Sequence, residues 1–415
     1  MATALPPHPR ARGWGGKAVA YNGCMRVQIV SSRVGGGHQS VARALVDAIE
    51  DRREGEVEVW IDDLYVDLAR FPASRFPWMY AVTTRRYPRI WRLVFELTNR
   101  PPGPGRLELL GDPIGGPGLA RLLARRRPDV VISVLPGANG FIARSLRRAG
   151  LGADVEVVVT DWAEIHLSWI SKRVSHYTVP TEAAAGTCYA VGVPSAAVSV
   201  LGLPVRRQFV EAEPGAAARR AARGRLGLPE ERFVILAMVG TEGTAGALAH
   251  LEALAGTPLD ADLLVMCGRN ERLCRRVGEL GGINRVQALG FVEDVAELML
   301  AADLLVTKPG GASLAEAFCC HLPVLAFDPV PGQEEGNARY VVAEGAAELA
   351  DSPRHLAALA AELRWSGPRR GTLAAGGARL ARPSAAADTV GEILERAGAS
   401  AGRPVATPRA KILDA

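Results

Sequence analysis

A succession of short, unbroken apolar runs constrains this chain more than any other feature. They include Asp129–Leu135 (DVVISVL), Val155–Val159, Phe233–Val239, Asp262–Cys267, Asp303–Thr307 and Val324–Phe327. Such runs read as strands buried on both faces, which needs helices packed above and below a sheet. Helix-like segments do alternate with them, as at Gln39–Arg52, where Val41, Leu45 and Ile49 fall on one side. The pattern predicts an α/β fold with parallel, doubly wound sheets.

With 415 residues the chain is long for one core, so two domains are expected. The strand–helix pattern stops in a stretch rich in Ala, Arg, Gly and Pro and then restarts. This places an N-terminal domain at 25–210, a linker at 211–231 and a C-terminal domain at 232–380. A terminal helix is expected over 381–397, able to return to the N-terminal domain. Residues 1–24 are Pro/Arg/Gly-rich without an apolar core, so they read as a disordered extension and not as a secretory signal. The tail at 398–415 also reads as disordered.

Composition excludes several classes. At 48% hydrophobic and 22% charged residues the chain is globular. No apolar run reaches the length of about 18 residues that a membrane-spanning helix needs. The six cysteines form no C-x-x-C pair, which argues against zinc and disulfides and for a reducing compartment. A net charge of +5 does not by itself select a nucleic acid, a membrane or any other partner.

Two strand–glycine–helix units carry the chemistry. The second is the more explicit: VTKPGGASLAEAFCCHLPVLAFDPVPGQEEGN, from Val306 to Asn337. Glycines at Gly310 and Gly311 let a backbone approach a phosphate. The helix that follows offers free N–H groups and a positive dipole end, with Ala312 and Ser313 in its first turn. Lys308 can add charge or point to solvent. Glu316, farther along the same helix, suits a ribose diol; the plain alternative is a solvated carboxylate. Gln333, Glu334 and Asn337 lie where sugar hydroxyls can be read, or they merely cap the next helix.

The first unit is SSRVGGGHQS. It lacks the spacing of a dinucleotide fold or a P-loop. It does set an imidazole, His38, after Gly36 and Gly37 at the carboxyl edge of a first strand, where open α/β sheets bind ligands. A helix N-terminus keeps such a ring neutral, as a general base requires. Helix capping is the alternative. Between the units, Thr160-Asp161-Trp162 ends a strand, followed by His166 and Trp169. Asp161 reads as a second candidate base or as a structural cap.

The segment Arg75–Arg100 holds six aromatic residues, Trp78 and Trp91 among them, and six arginines against one acid, Glu96. That mixture suits a membrane interface. It equally suits a core helix with a basic solvated face, broken by Pro77 and Pro88.

Several motifs resemble those of the monogalactosyldiacylglycerol synthase family. They are SSRVGGGHQSVARAL, VVVTDWAEIHLSWI with YTVPTE, CGRNERL, LGFVEDVAELMLAADLLVTKPGG and PVPGQEEGNARYVVAEGAA, in colinear order over roughly residues 26–380. The resemblance implies a GT-B fold, two Rossmann-like domains facing across a cleft. It also implies inverting transfer of a hexose from a UDP-sugar to a lipid hydroxyl, diacylglycerol above all, without a catalytic metal or other cofactor.

The implied roles are catalysis by His38 and Asp161, and donor binding by Gly240, Thr241, Arg269, Asn270, Lys308, Gly310–Ser313, Glu316, Gln333, Glu334 and Asn337. Acceptor contacts fall to Gly36, Gly37, Trp78, Trp91, His166 and Trp169. The loop VGTEGTAG after Phe233–Val239 keeps only part of the family's glycine density. Asn270 also reads as a helix cap. The implied partners are a UDP-sugar, a lipid and an anionic membrane surface, and no nucleic acid. The implied location is the cytoplasmic face of the cell membrane. Competing readings are a nucleotide-sugar epimerase, a transferase with another acceptor, and a binding protein without catalysis.

Overall fold

The computed structural model describes residues 24–32, 36–52, 57–68, 73–100, 116–239 and 246–401. The expected disorder at 1–24 and 398–415 falls outside them except at 24 and 398–401, and 398–401 continue the last helix instead of forming a disordered tail. The Pro/Gly-rich stretch 101–115 also falls outside them. A first sheet contains β1 (Met25–Ser31), β2 (Val57–Asp63), β3 (Val130–Ser133), β4 (Asp154–Val158), β5 (His176–Val179) and β6 (Val198–Val200). A second contains β7 (Phe233–Met238), β8 (Ala261–Met266), β9 (Arg285–Leu289), β10 (Leu304–Thr307), β11 (Val324–Phe327) and β12 (Ala347–Ala350). All pairings are parallel. The apolar runs are buried on both faces, with β3, β5, β10 and β11 buried at every residue. These are two Rossmann-like sheets of a GT-B fold.

The sheets are not copies. The first runs β2-β1-β3-β4-β5-β6 and the second β12-β11-β10-β7-β8-β9. In the first, strand order reverses between β1 and β3; in the second, between β7 and β10. Ligands of open α/β sheets bind at the carboxyl ends of strands beside such a reversal. The Gly36–His38 turn follows β1, and the Lys308–Gly311 turn follows β10.

Two elements lay beyond the sequence reading. Strand β12 (AELA) consists of good helix formers. Helix Gly367–Leu380 carries four glycines, which weaken any helical expectation. Two of those glycines are required by packing: a Cβ on Gly376 would lie 2.1 Å from the carbonyl oxygen of Gly345, and one on Gly377 2.6 Å from the Phe318 ring.

The last helix, Ala385–Ala401, returns to the first sheet. Its Val390, Ile393 and Leu394 share a core with Val41, Leu45 and Ile49 of α1 (Gly37–Arg52). Its Arg396 answers Glu156, which is 2% exposed on β4, with Nη2 2.9 Å from Oε2. That core continues without a break into Leu305, Ala312 and Phe318 of the second half.

Candidate active site

His38 stands in the first turn of α1, half-buried. Its Nδ1 is 3.3 Å from Thr160 Oγ1, and its ring centroid is 6.0 Å from that of Trp169. Burial lowers its pKa to about 4, only partly offset by a hydrogen bond to the main chain of Val134. The imidazole is therefore neutral at physiological pH. Asp161 accepts a 2.8 Å bond from Trp169 Nε1. Burial pushes its carboxyl up to about 6, and the nearby charge of Glu334 adds to this, against hydrogen bonds from Trp169 and Asn337. Trp169 is fully buried and links the two candidate bases.

The Lys308–Gly311 turn meets this loop directly. Helix Gly311–Cys319 starts at Gly310, which offers no side-chain cap, so the first-turn N–H groups have no intrahelical partner. Gly311 touches the first half so closely that a Cβ there would lie 2.0 Å from the carbonyl oxygen of Thr160. Trp162 Nε1 donates to Gly311 O at 3.0 Å, and Gly37 lies against Ala312. Lys308, 9% exposed, points its Nζ at Asp328 Oδ2, 3.4 Å away.

Glu316 is not a solvated helix carboxylate. It is 5% exposed, accepts a 2.6 Å bond from Ser40 Oγ, and lies 3.7 Å from Arg206 Nε. Burial raises its pKa, and Arg206 and Ser40 pull it back.

Asn337 ties the start of its helix to the first half. Its Oδ1 accepts from Trp162 N at 2.8 Å and its Nδ2 donates to Pro309 O at 3.2 Å. Glu334 Oε2 accepts from Val330 N at 2.8 Å. Burial raises its pKa, opposed chiefly by Lys308. Gln333 Oε1 accepts from Tyr80 OH at 3.0 Å.

The aromatic, Arg-rich segment forms two helices, α2 (Phe76–Arg86) and α3 (Pro88–Thr98), each with a proline in its first turn. Pro77 and Pro88 therefore start helices, and neither helix buries a residue. Of the two readings of this segment, the core helix is the one overturned: Trp78, Met79, Ile90, Leu93 and Leu97 are all exposed, Trp78 at 62%. Trp91 packs edge-on to Tyr80, ring centroids 5.0 Å apart. The end of α3 is fastened to the rest of the first half by His166. That ring accepts from Ser168 N through Nδ1 at 3.0 Å, so its Nε2 carries the proton and donates to Phe95 O at 3.1 Å.

The structure thus gathers His38, Asp161, Gly37, Gly311, Ala312, Glu316, Glu334 and Asn337 at one meeting of loops. Asn270 caps helix Glu271–Gly278 through Leu273 N at 3.0 Å, and Arg269 lies over the Phe291 ring at 4.9 Å. Gly240 and Thr241 lie outside the described residues. Among the described residues no group of three or more His, Cys, Asp or Glu is placed to hold a metal, and no helix is long and apolar enough to cross a membrane.

Sequence reasoning missed Ser40, Arg206 and Tyr80. Arg206 follows Gly202-Leu203-Pro204-Val205 at the end of β6. A cation directly after that turn was the available signal.

The family description "Monogalactosyldiacylglycerol (MGDG) synthase" matches residues 38–205, and "Glycosyl transferases group 1" matches 218–365. A probable monogalactosyldiacylglycerol synthase of Glycine max is 31% identical over 400 residues, covering 92% of this chain and 73% of the relative. A processive diacylglycerol beta-glucosyltransferase of Bacillus licheniformis is 26% identical, covering 77% and 82%. Among solved structures, the Anabaena protein HepE in complex with UDP-glucose has a TM-score of 0.56 at 16% identity, covering 90% of this chain and all of that one.

Proposed function

The chain belongs to the monogalactosyldiacylglycerol synthase family of glycosyltransferases, and we propose that it transfers a hexose from a UDP-sugar to the free hydroxyl of diacylglycerol at a membrane surface, with inversion at the anomeric carbon. The observation that carries this reading is the meeting of the two loops: Gly37 against Ala312, with His38 in the next position. A neutral imidazole on one side and a helix N-terminus on the other are the two groups a direct displacement needs.

In this reading His38 takes the proton of the acceptor hydroxyl as its oxygen attacks the anomeric carbon from the face opposite the leaving group. The bond from that carbon to the diphosphate oxygen breaks, and UDP leaves with its electron pair. The N–H groups of Gly311, Ala312 and Ser313 take the charge that develops there, with Lys308 adding its own and no metal needed. Glu316 holds the ribose, Arg269 and Asn270 line the base end, and Gln333, Glu334 and Asn337 read the hexose. Asp161 orients Trp169 beside His38 and supports the acceptor side. Gly240 and Thr241, outside the described residues, are assigned to the diphosphate.

The diacylglycerol acceptor is carried from the names of the relatives, and the UDP-sugar donor also from the ligand of the solved neighbour. The exposed apolar faces of α2 and α3, flanked by arginines, support a peripheral seat on an anionic cytoplasmic leaflet. Trp78 and Trp91 lie on that hairpin, and His166 and Trp169 at its root.

The test is direct. Purified protein is incubated with diacylglycerol-containing liposomes and a panel of UDP- and GDP-sugars, and the lipid product is weighed by mass spectrometry. A hexosyl-diacylglycerol formed from a UDP-sugar is expected. No hexosylated lipid from any donor would overturn the reading.

A further inference from the structure

The α2–α3 hairpin presents two surfaces that have no chemical reason to coincide. One is apolar and open: Ile90, Leu93, Val94 and Leu97 of α3 are each more than 40% exposed. The other is polar and closed, and it touches the loop 330–335 of the opposite half. Three contacts define it. Tyr80 OH donates to Gln333 Oε1 at 3.0 Å, and Arg92 forms an ion pair with Glu335. The Phe95 ring lies against Gly332, where a Cβ would meet Phe95 Cδ1 at 2.5 Å.

The loop end of each contact is itself built. Gly332 has a φ of +78°, and its N–H donates to Glu335 Oε2 at 3.1 Å. Gln333 is the residue assigned to the donor hexose, so Tyr80 occupies an acceptor lone pair of its amide and fixes which way the amide faces. The hairpin is in turn fastened to the rest of the first half through His166 and through Leu167 N, which donates to Asn99 Oδ1 at 2.7 Å.

We propose that Tyr80 and Arg92 are positioning residues for the donor sugar, and that seating the hairpin on a lipid surface therefore raises affinity for the UDP-hexose. This rests on the lipid-surface reading above. A hairpin free in water can sample positions off the loop; one held at an interface by four exposed apolar side chains has fewer. Linkage then requires the converse, that bound UDP-hexose tightens the protein's hold on the membrane.

The experiment uses the full chain, vesicles of phosphatidylglycerol and phosphatidylcholine without diacylglycerol, and UDP-glucose and UDP-galactose as probes. UDP-hexose affinity is measured by calorimetry with and without vesicles, and vesicle binding by flotation. The expected result is donor affinity higher by about fivefold or more on vesicles, as typical couplings between sites run. Tyr80→Phe and Glu335→Gln are expected to abolish most of that gain while flotation and thermal midpoint stay as they were. Glu335→Gln acts from the donor side and leaves every lipid-facing residue intact. In turnover with diacylglycerol vesicles, both variants raise the donor KM and leave kcat nearly unchanged. A chain that floats but binds UDP-hexose equally with and without vesicles overturns the coupling alone. A chain that does not float overturns the lipid-surface reading and this inference with it.

Discussion

Ser40 Oγ donates a 2.6 Å hydrogen bond to Glu316 Oε1, joining the first helix of one half to helix Gly311–Cys319 of the other. The two residues are 276 positions apart in the chain. The carboxylate assigned to the donor ribose is thus held by the helix that carries the candidate base, and Arg206 approaches the same oxygen. Binding of a ribose diol has to share or displace these partners.

Glu316→Gln therefore affects the donor first. UDP affinity, read by calorimetric titration, is expected to fall by about tenfold or more, because a charged acceptor contributes roughly 1.5–3 kcal/mol per hydrogen bond. Ser40→Ala, which keeps the carboxylate, is expected to change it by only a few-fold. Unchanged UDP affinity in Glu316→Gln would remove this residue from the donor site.

His38→Ala is expected to reduce kcat by about 10²–10⁴-fold, the usual range for a lost general base. UDP affinity and thermal midpoint stay close to those of the parent. Normal turnover by a folded variant would refute the assignment.

The pH dependence separates the two candidate bases. The acid limb of kcat/KM reports the base of the free enzyme. His38 titrates near 4 and Asp161 near 6. A limb close to pH 4 assigns the proton to His38, whereas one close to 6 assigns it to Asp161. Stability follows a related rule. His38 has a folded pKa below its ordinary 6.5, so the unfolded chain binds the extra proton between those values. Its contribution is present above pH 6.5 and lost as pH falls toward 4, to a limit of about 3 kcal/mol. Denaturant melts of the parent and His38→Gln at pH 7.5 and 5 are expected to show the variant losing less stability on acidification.

On the hairpin, Leu93→Glu with Leu97→Glu is expected to abolish flotation with anionic vesicles. Both side chains are more than half exposed, so thermal stability changes little. Retained flotation would place the membrane contact elsewhere.

Arg396→Ala tests the return of the last helix. It leaves Glu156 buried without its counter-charge, and because Arg396 itself is 30% exposed the cost is that of one unsatisfied buried acceptor, about 1–3 kcal/mol. The thermal midpoint is expected to drop clearly, and Glu156→Gln in the same chain to restore part of it.

Strands were legible because parallel sheets bury both faces, which leaves unbroken apolar runs such as VVIS and VLAF. Strand β12 was not, since Ala, Glu and Leu favour a helix and only its pairing with β11 overrides that preference. The glycines of helix Gly367–Leu380 look like loop residues until Phe318 and Gly345 are seen to need the space. At the site, residues beside glycine turns could be read from position alone. Ser40 could not, because its role depends on a contact between distant parts of the chain, and Arg206 had only its place after the Gly202–Val205 turn as a signal. The arginines and aromatics of 75–100 suggested an interface, but a list of residue types does not show that Tyr80 turns inward while Trp78 turns out.

The return of helix Ala385–Ala401 to α1 also sets an order of synthesis. Val41, Leu45 and Ile49 leave the ribosome early, and the side chains that cover them arrive last. About 330 residues separate the two helices, which at roughly 5–20 residues per second is about 20–70 s of translation. Throughout that interval the nascent first half carries an uncovered apolar face. An apolar face of this kind is prone to aggregation until it is covered, and only the docking of the final helix covers it.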